Sequence, residues 1–328
     1  MNSMTNEITI PKKEIPGLSE RRRVHILNPA AGKKKHYVLA NRTIEQIGGE
    51  IMTSERPGQI EELVRELFHR DPYAHAIVYG GDGTIYETVN GIMNSGASDT
   101  ASFSVIPGGS GNDFSAYANE SGAFAKTELN RIDLLKTECA GVVRYCANIT
   151  NVGLDCDVVC ETERIKKNPV FGGKTSYVAA LLTTFAKKKT FTAKMKLEGV
   201  CNLGLSPLPD IELERELLVC AFANSKFYGG GFKAAPLASL TDGKMDIVMI
   251  NDVTRREFLS LVGGYKDGSY ISPDGRFKKK FEGVVSYTRC SKVTLSGLER
   301  FCIDGEVFGA DDALTVEVVP QAAWFVAL

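Results

Sequence analysis

The chain is 328 residues long, with 43% hydrophobic and 24% charged residues and a formal net charge of -1 at pH 7. At about 150 residues per domain, this length predicts two domains. The composition is that of a folded globular protein, and the near-neutral charge excludes a protein drawn to nucleic acid by bulk electrostatics.

The cysteines and the apolar runs of the sequence indicate in which cellular compartment the protein is expected. The cysteines stand singly, without a CxxC pair, which predicts reduced thiols in a core. No apolar run approaches the roughly 20 residues that a membrane span needs, and the first residues are polar. We therefore expect a cytoplasmic protein that is peripherally associated with the membrane. Basic clusters that could contact lipid headgroups, or form solvated faces, lie at 21–23, 33–35, 187–189 and 278–280.

The first half of the chain alternates short apolar runs with amphipathic stretches. This rhythm predicts a parallel α/β domain over about residues 21–134, preceded by a flexible segment at 1–20. The helix expected after Tyr79 has one apolar face, which should pack on the sheet. The predicted strands are 24–27, 76–79 and 103–106, the other predicted helices lie near 37–47 and 60–68, and the apolar face consists of Ile85, Val89, Ile92 and Met93.

From about residue 136 the pattern changes to an alternation of period two, which predicts strands. The alternation is clearest at 191–197 and 314–318. Helices are expected in two places. One has an apolar stripe of Val178, Leu181, Leu182 and Phe185, and the other opens with a capping box at 254–257. The second half, over about residues 135–313, is therefore predicted to be mainly β.

A glycine-rich turn follows the strand that ends at Tyr79 and opens the next helix. Glycine lets backbone N–H groups approach phosphate oxygens, and a helix N-terminus carries a partial positive charge of roughly +0.5. An Asp in the turn adds a hard oxygen ligand for magnesium. A tight turn with an Asp cap is the alternative, but the glycine density exceeds what a cap needs. The residues are Gly80, Gly81, Asp82, Gly83 and Thr84.

Two further loops also follow predicted strands. Residues 107–114 (PGGSGNDF) again combine a flexible backbone with a hydroxyl and a carboxylate. Residues 28–33 (NPAAGK) could place Asn28 or Lys33 near phosphate oxygens, although alone they indicate a surface turn. In open α/β sheets, ligands bind outside the carboxyl ends of the strands. The first domain is therefore predicted to bind phosphate groups.

Two acids near the end of the chain suit proton transfer, because phosphoryl transfer needs a group that accepts the proton of the attacking hydroxyl. Asp304 and Glu306 are separated by one glycine in an expected strand, so both side chains would emerge on one face. Taken alone, Asp304 and Gly305 more readily form a hairpin turn, because Asp-Gly is a common hairpin signal.

These loops, in this order, resemble those of the bacterial diacylglycerol kinase-like lipid kinases, relatives of sphingosine and ceramide kinases. The resemblance spans nearly the whole chain and includes motifs at 224–236 (NSKFYGGGFKAAP), 239–246 (SLTDGKMD) and 302–307 (CIDGEV). It implies a doubly wound first domain like that of NAD kinase and phosphofructokinase, and a sandwich-like second domain. The final segment, 314–328, would return to the first domain. The implied reaction is ATP-dependent transfer of the γ-phosphoryl group to a lipid hydroxyl, that of diacylglycerol or a related lipid.

The resemblance also implies a set of ATP contacts. Family members often have Thr at the position of Ser110, where this chain keeps the hydroxyl. The hydroxyl expected after the second strand belongs to Thr53 or Ser54, and the choice between them stays open. The other implied ATP contacts are Asn28, Pro29, Ala30, Ala31, Gly32, Gly80, Gly81, Asp82, Gly83, Thr84, Asn112 and Asp113.

Acid and metal roles follow from the same resemblance. Glu306 matches the proton acceptor, and Asp82, Asp133 and Asp304 resemble a carboxylate network that organises Mg²⁺. A further, structural magnesium is implied in the loop at 239–244, although an ordinary Asp-Gly turn is nearly as favoured there. Its ligands would be Asp242 and the carbonyls of Ser239 and Lys244.

Two other functions stay open. NAD kinases share a GGDGT-type loop, so the acceptor could be a soluble molecule such as NAD, although 107–114 and 229–232 resemble lipid-kinase patterns instead. A catalytically silent lipid- or nucleotide-binding regulator is the other alternative, although none of the expected acids is missing. The sequence indicates no nucleic-acid partner and leaves a homodimer open.

Overall fold

The computed structural model describes residues 17–29, 35–166, 174–187 and 189–328. The first part of the chain alternates strands with helices. Its elements are β1 (Arg23–Leu27), α1 (Lys35–Ile47), β2 (Glu50–Thr53), α2 (Gln59–Arg70), β3 (His75–Gly80), α3 (Asp82–Ser95), β4 (Ser102–Pro107) and α4 (Asp113–Ala118), with a 3-10 helix at Leu18–Glu20.

These strands form a parallel sheet in the order β4-β3-β1-β2. Strand β3 is buried along its whole length because helices cover both faces of the sheet. Ile60 and Val64 of α2 and Ile85 of α3 pack on one face, while Ile44 of α1 packs on the other. The predicted α/β domain is therefore confirmed, with helices on both sides of a parallel sheet.

The second part of the chain is mainly strands, as predicted. A further 3-10 helix lies at Lys279–Phe281. The elements are β5 (Asn130–Cys139), β6 (Val142–Cys146), β7 (Ile149–Gly153), α5 (Leu154–Lys166), α6 (Lys174–Ala186), β8 (Phe191–Glu198), β9 (Ile211–Ala223), β10 (Met245–Asn251), α7 (Arg255–Asp267), β11 (Val285–Cys290), β12 (Lys292–Ser296), β13 (Arg300–Ile303), β14 (Glu306–Gly309) and β15 (Leu314–Phe325).

Strand β15 joins the two parts. It pairs antiparallel with β5 and β12 and parallel with β4, which makes one continuous 15-stranded sheet. Phe325 is buried and contacts the rings of Phe103 and Phe114. Of the last seven residues, Trp324 is half-buried and Leu328 is half exposed, while the other five are buried.

The helices of the second part are mostly as expected. The capping box that opens α7 is present, since the Thr254 side chain accepts the Glu257 N–H. In α6, Leu181 and Phe185 are buried but Leu182 is 47% exposed, so its assignment to the packed stripe is wrong. The Phe185 ring stacks on Phe258 of α7 at 3.5 Å, and this contact fixes which side of α6 faces inward.

The cysteines are free thiols, and all except Cys160 are buried, as the sequence predicts. In the described parts of the chain, no helix combines the length and the apolar character that crossing a bilayer requires.

Candidate active site

The two glycine-rich loops contact each other at the carboxyl ends of β3 and β4. The Gly108 N–H donates to the Gly80 carbonyl at 2.8 Å. A Cβ on Gly81 would lie 2.7 Å from the Cα of Gly109. Both groups are backbone, so neither can move aside, and glycine is required here. The first turn of α3 begins at this contact, and such turns have N–H groups without intrahelical partners that bind anions.

Asp82 lies between the two loops. Its Oδ1 accepts the Phe114 N–H at 3.1 Å, and a Cβ on Gly111 would lie 2.6 Å from its Oδ2. Burial raises the pKa of the Asp82 carboxyl, while the N–H groups of residues 112–114 act in the opposite direction. The second loop is thus folded around this carboxylate.

The first loop after β1 is described in part. The Asn28 amide donates to the Thr84 hydroxyl at 3.0 Å, which ties this loop to the start of α3. Pro29 is exposed. The expected contacts Ala30, Ala31 and Gly32 lie outside the described residues.

The two hydroxyls after β2 differ in their surroundings. Ser54 is buried, and its hydroxyl donates to the Leu27 carbonyl at 3.4 Å, next to Asn28. Thr53 is exposed at the end of β2. Both lie at the same edge of the sheet as the glycine loops, because β2 and β3 both run parallel to β1.

Residues of the second loop have distinct roles. Asn112 adopts a left-handed conformation with φ 59°, and its side chain exchanges hydrogen bonds with both backbone groups of Gly109. Ser110 is exposed. Asp113 is buried, and its Oδ2 accepts the Gly230 N–H at 2.9 Å. This bond connects the second glycine-rich loop to the GGGF segment of the second part.

Asp304 does not share a strand with Glu306, so that expectation is wrong. Asp304 and Gly305 form the turn between β13 and β14, and Asp304 has a left-handed φ of 48°. Its buried carboxylate accepts the N–H groups of Ala147, Asn148 and Ile149 at 2.8 to 3.0 Å. Burial raises the pKa of Asp304 to about 6. The hairpin turn was therefore the better interpretation of its local structure.

Glu306 follows this turn and is exposed. It lies close enough to α3 for its charge to act on two side chains there. Burial contributes most to the raised pKa of Tyr86 and Glu87, and the negative charge of Glu306 adds to both shifts. The fold thus brings Glu306 beside the helix that begins at Asp82.

Asp133 is buried in β5, and both of its oxygens are used in hydrogen bonds. They accept the N–H groups of Gly243 and Gln321, each at 2.7 Å. Burial raises the pKa of this carboxyl, and the two N–H groups oppose the rise. Asp133 therefore holds the loop at 239–244 against β15.

Asn224, the first residue of the NSKFYGGGF segment, links these elements and was given no role in the sequence analysis. Its amide donates to the carbonyls of Asp133 and Ala147 at 2.8 and 3.0 Å. Residues 147–149 are thus held by Asp304 through their N–H groups and by Asn224 through the carbonyl of Ala147. Partners so far apart in the sequence give no local signal.

Asp82, Asp133 and Asp304 do not stand together as three metal ligands, and their expected role as a carboxylate network that organises Mg²⁺ stays a prediction. Across the described ranges, no three His, Cys, Asp or Glu side chains are placed to hold a metal ion together. The reason is that Asp133 and Asp304 are occupied by backbone N–H groups. Of these three aspartates, Asp82 is the one at the glycine loops, where Asp113 also lies. Its oxygen donors fit Mg²⁺, which proteins commonly hold through one or two carboxylates while substrate phosphates supply further ligands.

The loop expected to hold a structural magnesium is stabilised by its own contacts. Asp242 accepts the Lys244 N–H at 3.1 Å and lies 3.8 Å from Arg289 Nη1. The Ser239 hydroxyl interacts with that of Thr241 at 3.2 Å. Burial raises the pKa of Asp242, and Arg289 opposes the rise. The role of this loop in metal binding stays a prediction.

A parallel sheet with glycine-rich turns at the carboxyl ends of its strands, and a β-rich part bonded to one of those turns, fit a phosphotransferase of the kinase type. Family comparisons agree. Residues 22–144 match the model of the diacylglycerol kinase catalytic domain, and residues 148–327 match that of the YegS C-terminal NAD kinase beta sandwich-like domain. The chain belongs to the diacylglycerol kinase-like lipid kinase family.

Individual relatives span most of the chain. The chain is 26% identical over 309 residues to "Putative lipid kinase YtlR" of Bacillus subtilis, which covers 87% of this chain and 93% of that protein. It is 27% identical over 245 residues to "Probable lipid kinase YegS-like" of Alcanivorax borkumensis, with 73% of each covered. A Bacillus anthracis structure described as a "putative diacylglycerol kinase" has the same fold, with a TM-score of 0.68, 18% identity, and 94% and 97% of the two chains covered.

Proposed function

We propose that this protein transfers the γ-phosphoryl group of ATP to the hydroxyl of a lipid, diacylglycerol or a related lipid, with Mg²⁺. The observation that carries the proposal is the contact between the two glycine loops at the start of α3, with the Asp82 carboxylate between them. Backbone N–H groups in such a place bind phosphate oxygens.

Different residues have different roles in the proposed reaction. The glycine loops bind and orient the phosphates, and Asp82 provides an oxygen ligand to Mg²⁺, which supplies charge neutralisation when bound. The lipid hydroxyl oxygen attacks the γ-phosphorus, the bond to the β-phosphate oxygen breaks, and ADP leaves. Glu306, exposed beside α3, accepts the proton of the hydroxyl.

The acceptor class rests on the relatives, two of which are named as lipid kinases. A lipid acceptor of this kind resides in a bilayer, so we infer peripheral contact of the protein with the membrane. A soluble acceptor such as NAD, or a silent regulator, would each give a distinct result in the test below.

The test uses purified protein, γ-labelled ATP, Mg²⁺ and mixed micelles of diacylglycerol, with NAD as the alternative acceptor. We expect labelled lipid from the wild type and less than about 1% of its rate from either Asp82→Ala or Glu306→Ala. Asp82→Ala should also weaken Mg²⁺-dependent ATP binding, because Asp82 lies at the glycine loops. Glu306→Ala should leave ATP binding intact, because Glu306 does not.

Glu212→Gln is the matched control, since Glu212 is an exposed glutamate on β9. It should retain full activity. Normal turnover in either test variant would contradict the assigned roles. Labelled NAD in place of lipid would identify a soluble acceptor, and nucleotide binding without any turnover would indicate a silent regulator.

A further inference from the structure

A buried arginine lies beside the loop at 239–244, for which the family resemblance implies a structural magnesium. Arg289 belongs to β11, and its side chain is only 9% exposed. It stands directly opposite Asp246 of β10 in the antiparallel pair, and its Nε donates to the Asp246 carboxylate at 2.8 Å. The Asp246 side chain is completely buried. A cation and a carboxylate are thus held together next to the loop.

The same guanidinium contacts three further oxygen atoms. Its Nη1 donates to the carbonyl of Leu203 at 3.2 Å and lies 3.8 Å from an oxygen of Asp242, and its Nη2 donates to the carbonyl of Leu237. Leu203 lies in the connection between β8 and β9, and the other oxygens belong to residues 237–246. Two carboxylates and two carbonyls therefore surround one positive charge. Proteins hold hard divalent cations with the same kind of oxygen set.

Both oxygens of Asp242 already have a positively polarised neighbour. The Lys244 N–H donates to its Oδ1 at 3.1 Å, and Arg289 Nη1 lies 3.8 Å from its Oδ2. Mg²⁺ binds a carboxylate oxygen at ~2.1 Å, so an ion on this Oδ2 would lie at most ~6 Å from the guanidinium nitrogen. Like charges at this separation repel each other strongly where water is largely excluded. The implied ligand set therefore fits a divalent ion poorly in this chain.

The backbone of the loop is held by hydrogen bonds that involve no metal. The Gly243 N–H donates to the Asp133 carboxylate at 2.7 Å, and the Asp133 N–H donates to the Leu240 carbonyl at 2.7 Å. The side chain of Lys244 donates from Nζ to the Gly199 carbonyl at 3.2 Å. These bonds fix the path of the loop, and Arg289 supplies the positive charge beside its carboxylate.

We propose that the guanidinium of Arg289 takes the place of the structural magnesium, so that the loop at 239–244 folds without a metal ion. The planar fork of N–H donors suits carboxylate and carbonyl oxygens, and its charge is permanent because arginine does not lose its proton in proteins. Mg²⁺ then acts in the proposed reaction at the nucleotide phosphates alone. The inference itself concerns the fold of the second part and does not depend on the proposed function.

Thermal unfolding of the full-length chain without nucleotide tests this inference and needs no turnover. The midpoint Tm is measured in EDTA, in excess Mg²⁺ and in excess Ca²⁺. We expect the wild type and Asp242→Asn each to differ by less than about 1 °C between these conditions, since an ion that does not bind the folded state does not stabilise it. A rise of the wild-type Tm in Mg²⁺ that disappears in Asp242→Asn but persists in Asp82→Asn would identify a metal at the loop and overturn the inference.

Removal of the arginine should create the metal dependence that the wild type lacks. Arg289→Met leaves the carboxylates of Asp242 and Asp246 without their cation, so the Tm in EDTA should fall by about 6–10 °C. Excess Mg²⁺ or Ca²⁺ should recover at least ~3 °C of this loss, because the freed oxygens then offer a cation site. The matched control is Arg215→Met, which replaces an exposed arginine on β9. It should keep the wild-type Tm and gain no metal response.

A double variant keeps the test decisive if Arg289→Met does not fold. Arg289→Met with Asp246→Leu replaces the buried pair by apolar side chains, a change that folded proteins commonly accept, and it leaves Asp242 with the implied carbonyl ligands. Its Tm should rise by at least ~2 °C in Mg²⁺ or Ca²⁺, and adding Asp242→Asn should abolish the rise. A Tm that is the same in EDTA and in both ions for these variants would show that the guanidinium does not occupy a cation site, and the inference would be wrong.

Discussion

Buried acidic groups are held in different ways at the junction of the two parts of the chain and in the layer of helices α5, α6 and α7. At the junction, Asp133 and Asp304 accept hydrogen bonds from backbone N–H groups. In the helical layer, Asp155 has a single phenol as donor. The first arrangement fixes loops in place and needs no ligand to be satisfied. The second leaves the carboxylate of Asp155 with little compensation for its burial, which raises its pKa to about 7.

The comparison indicates two kinds of functional region. Where the backbone supplies the donors, geometry is set by glycine and by left-handed residues, and substitutions should act on folding or on loop position. Where a single side chain supplies the donor in an apolar wall, a substitution that removes the buried charge can stabilise the fold.

Removal of the Asp304 carboxylate should have the largest effect on stability. In Asp304→Ala the N–H groups of residues 147–149 lose their acceptor in a buried place, and alanine is strained at φ 48°. We expect the free energy of unfolding to fall by about 3 kcal/mol, measured by urea denaturation. Glu306→Gln, two residues away and exposed, should change it by less than about 0.5 kcal/mol. A stable Asp304→Ala would show that water replaces the carboxylate.

Gly81→Ala should have the next largest effect, on activity. Its Cβ would lie 2.7 Å from the Cα of Gly109, so the two loops must separate, and a displacement of about 1 Å can cost ~100-fold in rate. We expect ATP-dependent turnover to fall by about that factor. Gly263→Ala in α7 is the control, because a Cβ there also meets nothing within 4 Å, and its turnover should stay within about threefold. Equal losses would mean that the loops do not act through their contact.

Asp155→Asn should have the smallest effect, and in the stabilising direction. Burial raises the folded pKa of Asp155 from 3.8 to about 7. The unfolded chain therefore loses this proton first, and wild-type stability falls as pH rises from about 4 through 7. The variant lacks this titration, so at pH 8 we expect it to be at least ~1 kcal/mol more stable than the wild type, with a smaller difference at pH 4. Thermal unfolding at both pH values measures the difference.

Most of the fold was predictable, since it depends on local patterns. The glycine turn at Gly80 and Gly81, the apolar face of α3 and the capping box of α7 all follow from residues close together in the chain. The orientation of α6 was not predictable from the sequence, because Leu182 and Phe185 are both apolar. Contact with Phe258 of α7 determines that Phe185 is the one that is covered.

The site was predictable only where its residues are adjacent. Asp304 was placed in a strand because period-two spacing around Gly305 fits a strand as well as a turn, and the left-handed backbone that decides between them is fixed by contacts with the distant segment at 147–149. Asp155 and Tyr228 are 73 residues apart. The residues adjacent to each of them in the sequence do not indicate that a buried polar contact forms there. Their pairing can therefore be recognised only in the folded structure.

The pairing of β15 with both β4 and β12 has a consequence for synthesis. Strand β4 belongs to the first domain, yet one of its two neighbours emerges from the ribosome only after all the strands of the second part. The first domain therefore cannot complete its sheet until β15 has emerged, and the β4 edge stays exposed until then. Late assembly of this kind favours chaperone protection of the nascent protein.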